Sequence, residues 1–239
     1  MRFLIGVLLL LGLVAPAWAD LKDGLRALNS GDFATALQEL RPLAEQGDAT
    51  AQYNLGVMYD QGIGVEKNLI EAAEWYRKAS EQGALNAQTN LASMYANGDG
   101  VPLDYDKALR WYRNAAERGF ADAQYNLGFM HYHGQGIQRS YVEAAKWYLK
   151  AARQDHILAR SGLGTMYENG LGVAQDYAEA VKWYRLAAVQ GHGPSPVALG
   201  VLYHQGRGAA HAPAKGSDWS TRAVEQGGVR GQFNLGVQH

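Results

Sequence analysis

Apolar residues recur among polar ones along this chain with the spacing of amphipathic helices. In residues 51 to 59 the apolar positions follow the pattern i, i+4, i+7 and i+8, which places them on one face of a predicted helix A. That face consists of Ala51, Leu55, Met58 and Tyr59. A second helical face, which predicts helix B, consists of Ala72, Trp75, Tyr76 and Ala79.

The two-helix pattern recurs every 36 residues without an insertion. Position by position, the spacing collects one leucine of helix A and one tryptophan of helix B from each copy. The leucines are Leu55, Leu91, Leu127, Leu163, Leu199 and Leu235. The tryptophans are Trp75, Trp111, Trp147, Trp183 and Trp219. A fixed period of this length is typical of repeat proteins in which each unit packs on its neighbours.

Glycines and polar caps mark where the predicted helices begin and end. A G-x-G loop follows helix A in each copy, as at Gly62 and Gly64, because glycine adopts positive φ without a steric penalty. Asn68 stands three residues before Glu71, the spacing of a capping box at the start of helix B, and Ser140 and Asp176 begin the same pattern. A glycine ends helix B in most copies, but Asp155 stands at that position once.

The pattern predicts an all-α fold, a right-handed α-solenoid of 36-residue helix-turn-helix repeats. Five repeats are expected at 49–84, 85–120, 121–156, 157–192 and 193–228. Residues 20–48 are expected to form a degenerate N-terminal repeat or cap, and residues 229–239 a partial helix A of a further repeat. Pro213, Gly216 and Ser217 are poor helix formers in helix B of the fifth repeat, although Pro213 is harmless if it lies in the first turn.

The first 19 residues have the composition of a cleavable signal peptide. Arg2 precedes an apolar stretch too short for a comfortable membrane span, and Ala17 and Ala19 give a small-x-small site with cleavage after Ala19. We therefore expect a periplasmic or secreted protein without membrane insertion after signal cleavage. No cysteine occurs, so neither a disulfide framework nor a lipid anchor is expected.

The repeated motifs A-x-x-x-L-G-x-M-Y, G-x-G-V, A-x-x-W-Y and K-A-A-x-x-G resemble those of Sel-one-like repeat proteins, which are related to tetratricopeptide arrays. The resemblance extends from about Gly31 to the C-terminus. It implies a scaffold or adaptor for protein complexes, and in exported bacterial members a role in envelope assembly, signalling or host interaction. A cysteine-rich branch of the family interacts with β-lactams, but the paired cysteines of that branch are absent here, so its activity is not transferred.

Candidate chemistry beyond binding is sparse. His131 and His133 lie two residues apart on helix A and point in different directions, and His131 occupies the position of Tyr59, which favours a core role. His192, His204 and His211 show no spacing that predicts a zinc site. No P-loop, dinucleotide or serine-nucleophile motif occurs, so we expect no enzyme, metal or cofactor. With 22 basic and 23 acidic side chains and no basic run, nucleic acid is not an expected partner.

The positions that differ between copies are the best predictor of a binding surface. On helix A of the third repeat, a second stripe at i, i+4, i+7 and i+8 carries aromatic residues, where the second and fourth repeats have small or polar ones. This aromatic stripe consists of Tyr125, Phe129, Tyr132 and His133, and Tyr53 could extend it. Aromatic residues are common anchors of protein interfaces. The competing interpretation is that the stripe packs on an adjacent repeat.

These observations predict an exported adaptor that binds a protein or peptide non-covalently through helix A, on the surface that is concave in related superhelices. Because aromatic rings also stack on sugars, a module for cell-wall glycan or peptidoglycan is the first alternative. A β-lactam-interacting hydrolase is the second.

Overall fold

The structure, a computed structural model, describes residues 20–208 and 213–225, and all the regular secondary structure within those ranges is helical. The predicted signal peptide, His211 and the partial helix of residues 229–239 lie outside the described residues. The helices are α1 (Leu21–Ser30), α2 (Phe33–Glu45), α3 (Ala49–Gln61), α4 (Leu69–Glu81), α5 (Leu85–Asn97), α6 (Tyr105–Glu117), α7 (Ala121–His133), α8 (Tyr141–Ala152), α9 (Ile157–Asn169), α10 (Tyr177–Val189), α11 (Pro194–His204) and α12 (Pro213–Glu225). The predicted all-α solenoid fold of helix pairs in series is confirmed.

The chain forms two compact units, one up to Ala87 and the other from Gln88 onwards. In the first unit, α1 packs on α2, α2 on α3, and α3 on α4. The core of this unit contains Leu40, Leu55 and Met58, which are fully buried. The segment expected to be a degenerate repeat thus forms the helix pair α1 and α2.

In the second unit each helix from α6 to α11 packs on the next one along the chain. Fully buried core residues from helix A include Leu127, Leu163 and Met166. Pro213 begins α12, where its missing N–H costs no helical hydrogen bond. Among the helices of residues 20–208 and 213–225, none has both the length and the apolarity needed to cross a membrane.

The first glycine of the loop ends helix A in a left-handed conformation in the first four repeats, as predicted, whereas α11 is capped by Gln205. The second glycine has a role that the sequence did not reveal. A Cβ on Gly136 would lie 2.2 Å from the Cβ of Tyr105, the first residue of helix B in the preceding repeat. In three further pairs an added Cβ would likewise lie 2.4 Å or less from the residue opposite the glycine. They are Gly64 with Phe33, Gly172 with Tyr141, and Gly208 with Tyr177. The second glycine therefore lets consecutive repeats approach closely.

The expectation of a reciprocal capping box is half wrong. The caps accept helix N–H groups as expected: Asn68 from Glu71, and Ser140 from Glu143. However, the backbone N–H of Asn68 donates to the Tyr59 carbonyl at 2.9 Å, so no donor remains for Glu71. The glycine loop returns the chain to the end of helix A, and this contact replaces the glutamate. Glu71 instead accepts from Trp75 Nε1 at 3.1 Å.

A buried glutamine near the start of helix A joins neighbouring helices. Gln124 is buried, and its Nε2 donates to the Ala116 carbonyl at 3.0 Å, while its Oε1 accepts from Gln154 Nε2 at 2.8 Å. Gln52 makes the equivalent bonds in the first unit, with Ala44 and Gln82. Both polar ends of a buried amide are thus satisfied, which burial requires.

Candidate functional site

The aromatic stripe of α7 lies half inside and half outside the protein. Tyr125, Phe129 and Tyr132 are each partly buried and pack against the core of the second unit, whereas His133 is exposed. Neither sequence interpretation alone describes this arrangement. Each ring packs against the core with part of its surface and keeps the rest exposed to solvent.

Helix α8 and the start of α9 complete a larger group of rings, which we call the aromatic cluster. It consists of Tyr125, Phe129, Tyr132, His133, Tyr141, Tyr148 and His156. The ring of Tyr125 stacks on Tyr148 at 5.5 Å between centroids and on His156 at 4.7 Å. Tyr132 packs edge-on against Tyr141 at 5.1 Å. The cluster therefore links α7, α8 and the beginning of α9.

His133 lies at the exposed end of this cluster. Its ring centroid is 4.2 Å from that of Phe129 and 4.9 Å from that of Tyr132. Arg139, in the loop before α8, lies over the ring of Tyr141 at 5.4 Å. An imidazole and a guanidinium therefore flank the rings at the loop end of the third repeat.

The hydroxyl groups of Tyr125, Tyr132 and Tyr148 stay protonated at neutral pH, because the pKa of each is raised. Burial raises the pKa of Tyr125, and burial together with the neighbouring Tyr141 raises the pKa of Tyr132. Burial raises the pKa of Tyr148 furthest, and the nearby hydroxyls of Tyr125 and Tyr132 add to it. Neutral hydroxyls can donate and accept hydrogen bonds, so the cluster combines apolar ring surface with polar edges.

Three members of the cluster were not singled out from the sequence. Tyr141 and Tyr148 belong to helix B, and Tyr148 occupies a position that is tyrosine in four copies, which by itself indicates only a shared core role. His156 stands at the position of Asp48, the residue before helix A. Comparing those two positions would have identified His156 as the residue that begins α9.

Tyr53, the predicted extension of the stripe, belongs to the first unit. It is half-buried, and its ring centroid lies 6.0 Å from that of Tyr76 on α4. The two tyrosines form a separate aromatic pair within that unit.

His131 is buried, with 8% of its surface exposed, as expected for a residue that replaces the tyrosine of other copies. Burial lowers its pKa, Arg113 lowers it further, and Glu143 opposes both. Its Nδ1 is buried without a hydrogen-bond partner. Within residues 20–208 and 213–225, no three His, Asp or Glu side chains come together as a group that could hold a metal ion.

Comparison with known proteins identifies the repeats. The Sel1 repeat profile matches residues 49–83, 85–120, 121–156, 157–192 and 197–228. No protein among those with a curated function is similar enough to match this sequence.

Several solved structures share the fold. A protective antigen of uropathogenic Escherichia coli strains, described as displaying an SLR fold, is 36% identical with a TM-score of 0.84, over 90% of this chain and 47% of its own. This chain thus spans about half the length of that antigen. A Sel1 repeat protein from Oxalobacter formigenes is 33% identical with a TM-score of 0.80, over 87% of this chain and 83% of its own. An immunity protein from Pseudomonas aeruginosa is 26% identical with a TM-score of 0.52, over 77% of this chain and 68% of its own.

Proposed function

The chain belongs to the Sel1 repeat family, and we propose that it is an exported adaptor that binds a protein or peptide partner through the aromatic cluster of its third repeat. Sel1 repeat proteins are generally scaffolds for protein-protein interaction and are typically not enzymes. The binding surface and the place where the protein acts are the parts that we propose. Export is proposed from the composition of residues 1–19.

The observation that carries the proposal is the difference between equivalent helix-A surfaces in the second unit. Where α7 has Tyr125 and Phe129, α9 has Ser161 and Thr165. The half-buried rings of α7 are held by α8, so these side chains lose little entropy when a partner covers their exposed part. Pre-ordered tyrosine and phenylalanine side chains of this kind are frequent hot spots of protein interfaces.

The stacking of the rings favours a protein or peptide over a glycan. A sugar ring binds by lying flat on an aromatic face, but Tyr148 and His156 already lie nearly parallel to Tyr125, at interplanar angles of 18° and 22°. The ring of His133 lies 4.2 Å from that of Phe129, tilted by 48°, and covers part of it. What these rings offer to a ligand is mainly edges and hydroxyl groups, which suit the side chains and backbone of a peptide.

The test compares partner capture by the chain from Asp20 onwards with capture by the variant Tyr125→Ser/Phe129→Thr. This variant introduces the side chains that α9 carries at the same positions, so the repeat has a precedent for them. We expect crosslinking in an envelope fraction to give a partner with the unaltered chain, and at least a tenfold loss of capture with the variant, about 1.4 kcal/mol or more.

Leu149→Ala is the matched control, because Leu149 is partly buried against the same core but is not part of the cluster. It should lower stability while keeping the partner. Capture that survives the Tyr125→Ser/Phe129→Thr change would contradict the proposed site. Binding of peptidoglycan fragments without any captured protein would support the glycan alternative instead.

A further inference from the structure

His156 begins α9 with an unusual helix cap. Its Nδ1 accepts the backbone N–H of Ala159 at 3.2 Å, the bond that an aspartate or serine normally makes at a helix N-terminus. In the first unit Asp48 occupies the equivalent position and accepts from Ala51 at 2.8 Å. Since the N–H of Ala159 can only donate, Nδ1 of the capping imidazole must carry no proton.

The same imidazole touches α7 with its other nitrogen and its ring. Nε2 lies 3.3 Å from Oδ1 of Asp122, and the ring stacks on Tyr125 at 4.7 Å. With Nδ1 accepting, the neutral ring carries its proton on Nε2 and directs it towards Asp122. One side chain thus caps α9, contacts the carboxylate of Asp122 and covers Tyr125 of the aromatic cluster.

We propose that His156 is a pH-sensitive switch of the aromatic cluster. The neutral imidazole caps α9 and fixes Tyr125, and protonation of Nδ1 in mildly acidic medium breaks the cap and releases the Tyr125 ring. The imidazolium has a hydrogen on both nitrogens, so it cannot accept from Ala159. A positive charge at the N-terminus of α9 is also opposed by the helix dipole.

The groups around His156 set the pH at which this happens. From α7 it faces Asp122 and Tyr125, and behind Tyr125 lies Tyr148 of α8. In the turn between α8 and α9, Asp155 is paired with Arg160. Burial is the largest influence and lowers the pKa of His156 below its ordinary value of 6.5, while Asp122 opposes this shift. The folded protein thus keeps the capped, neutral form until the pH falls below that value.

The switch goes beyond the proposed function and can be tested without a partner. Side-chain and backbone NMR signals would be followed from about pH 8 to about pH 5 in the chain from Asp20 onwards. We expect the Ala159 amide and the Tyr125 ring signals to change with the same midpoint as the imidazole of His156. The imidazole nitrogens should show the Nε2-protonated tautomer at the alkaline end.

Two variants separate this effect from titration of other groups. His156→Asn keeps a capping oxygen but does not titrate, so the Ala159 and Tyr125 signals should become independent of pH in this range. Asp122→Asn removes the carboxylate that favours the imidazolium, so the midpoint should move to lower pH. A Tyr125 signal that titrates unchanged in His156→Asn, or that stays constant while His156 titrates, would overturn the proposal.

The effect of this switch on binding rests on the proposed function. Failure of the switch and failure of the proposed docking site give different results. If Tyr125 titrates with His156 and partner capture falls at acidic pH only when His156 is present, both proposals are supported. If Tyr125 titrates with His156 but capture is independent of pH, the switch is supported and the cluster is not the docking site.

Discussion

The third and fourth repeats, both in the second compact unit, place an equivalent tyrosine of helix B in different surroundings. Tyr148 of α8 faces the rings of Tyr125 and Tyr132, whereas its equivalent Tyr184 of α10 donates to Glu168 at 2.7 Å and lies 3.0 Å from the Thr165 hydroxyl. Both tyrosines are buried. The same helix-B residue thus supports an apolar surface in one repeat and a polar one in the next.

This difference separates the positions that build the repeat from those that distinguish one repeat from another. Gly128 and Gly164 lie under the two tyrosines, where a Cβ would approach the ring to 2.6 Å in each case. These glycines are identical because helix A and helix B must approach equally closely in both repeats. The stripe beside them can vary because its rings are only partly buried and the rest of their surface faces solvent.

The largest expected effect follows from changing what the two repeats share. Gly136→Ala and Gly172→Ala should each lower the free energy of unfolding by about 2–4 kcal/mol. Each adds a Cβ at positive φ, and this Cβ would lie 2.2 Å from Tyr105 or from the Tyr141 backbone. Urea denaturation followed by circular dichroism would measure the loss.

Gly119→Ala is the control for this pair, because Gly119 has φ of 92° but nothing within 4 Å of an added Cβ. It should cost only the backbone strain, about 1–2 kcal/mol. Equal losses for Gly119→Ala and Gly136→Ala would show that the approach of consecutive repeats does not depend on the loop glycine.

The sequence was sufficient for the helices and for the location of the aromatic stripe, because both depend on the identity of residues at a fixed spacing. It was not sufficient for the contacts of His156 or Gln124, because spacing gives a position and not a partner. It also misassigned Glu71, since the competing carbonyl of Tyr59 is brought near only by the loop. How deeply Tyr125 is buried depends on Tyr148 and His156, whose contacts with Tyr125 the repeat pattern does not indicate.

A smaller effect should appear where only the third repeat has a histidine. The folded-state pKa of His131 is lowered by burial, so the unfolded chain binds a proton more readily. The stability that His131 contributes is therefore complete above about pH 6.5 and is lost as the pH falls through the folded-state pKa. We expect His131→Tyr to make the melting temperature less dependent on pH between about 7.5 and 5.

The tyrosine variant is matched to the other copies, since Tyr203 and Tyr167 occupy this position in later repeats. His133→Tyr is the control, because it makes the same histidine-to-tyrosine change at an exposed position of the same helix. A His131→Tyr protein that melts with the unaltered pH dependence would assign the acid sensitivity to His156 or His192, whose pKa values burial also lowers.

The smallest expected effect concerns the turn that joins the two repeats. Asp155 has φ of 66° where other copies have glycine, and it pairs with Arg160, which replaces the glutamine of Gln124 and donates to the Ala152 carbonyl at 3.2 Å. Asp155→Gly relieves the backbone but leaves the guanidinium of Arg160, only 11% exposed, without its carboxylate. We expect a net loss of about 1 kcal/mol for this variant.

Asp155→Gly combined with Arg160→Gln should instead gain about 0.5–1 kcal/mol over the unaltered chain. The new glutamine can donate to the Ala152 carbonyl as Gln124 does to Ala116, and it can accept from Gln190 as Gln124 accepts from Gln154. Thermal melts of both single variants and the double variant give the coupling. If the single-variant changes simply add, Asp155 and Arg160 are independent, and the aspartate at positive φ is not compensated by its arginine.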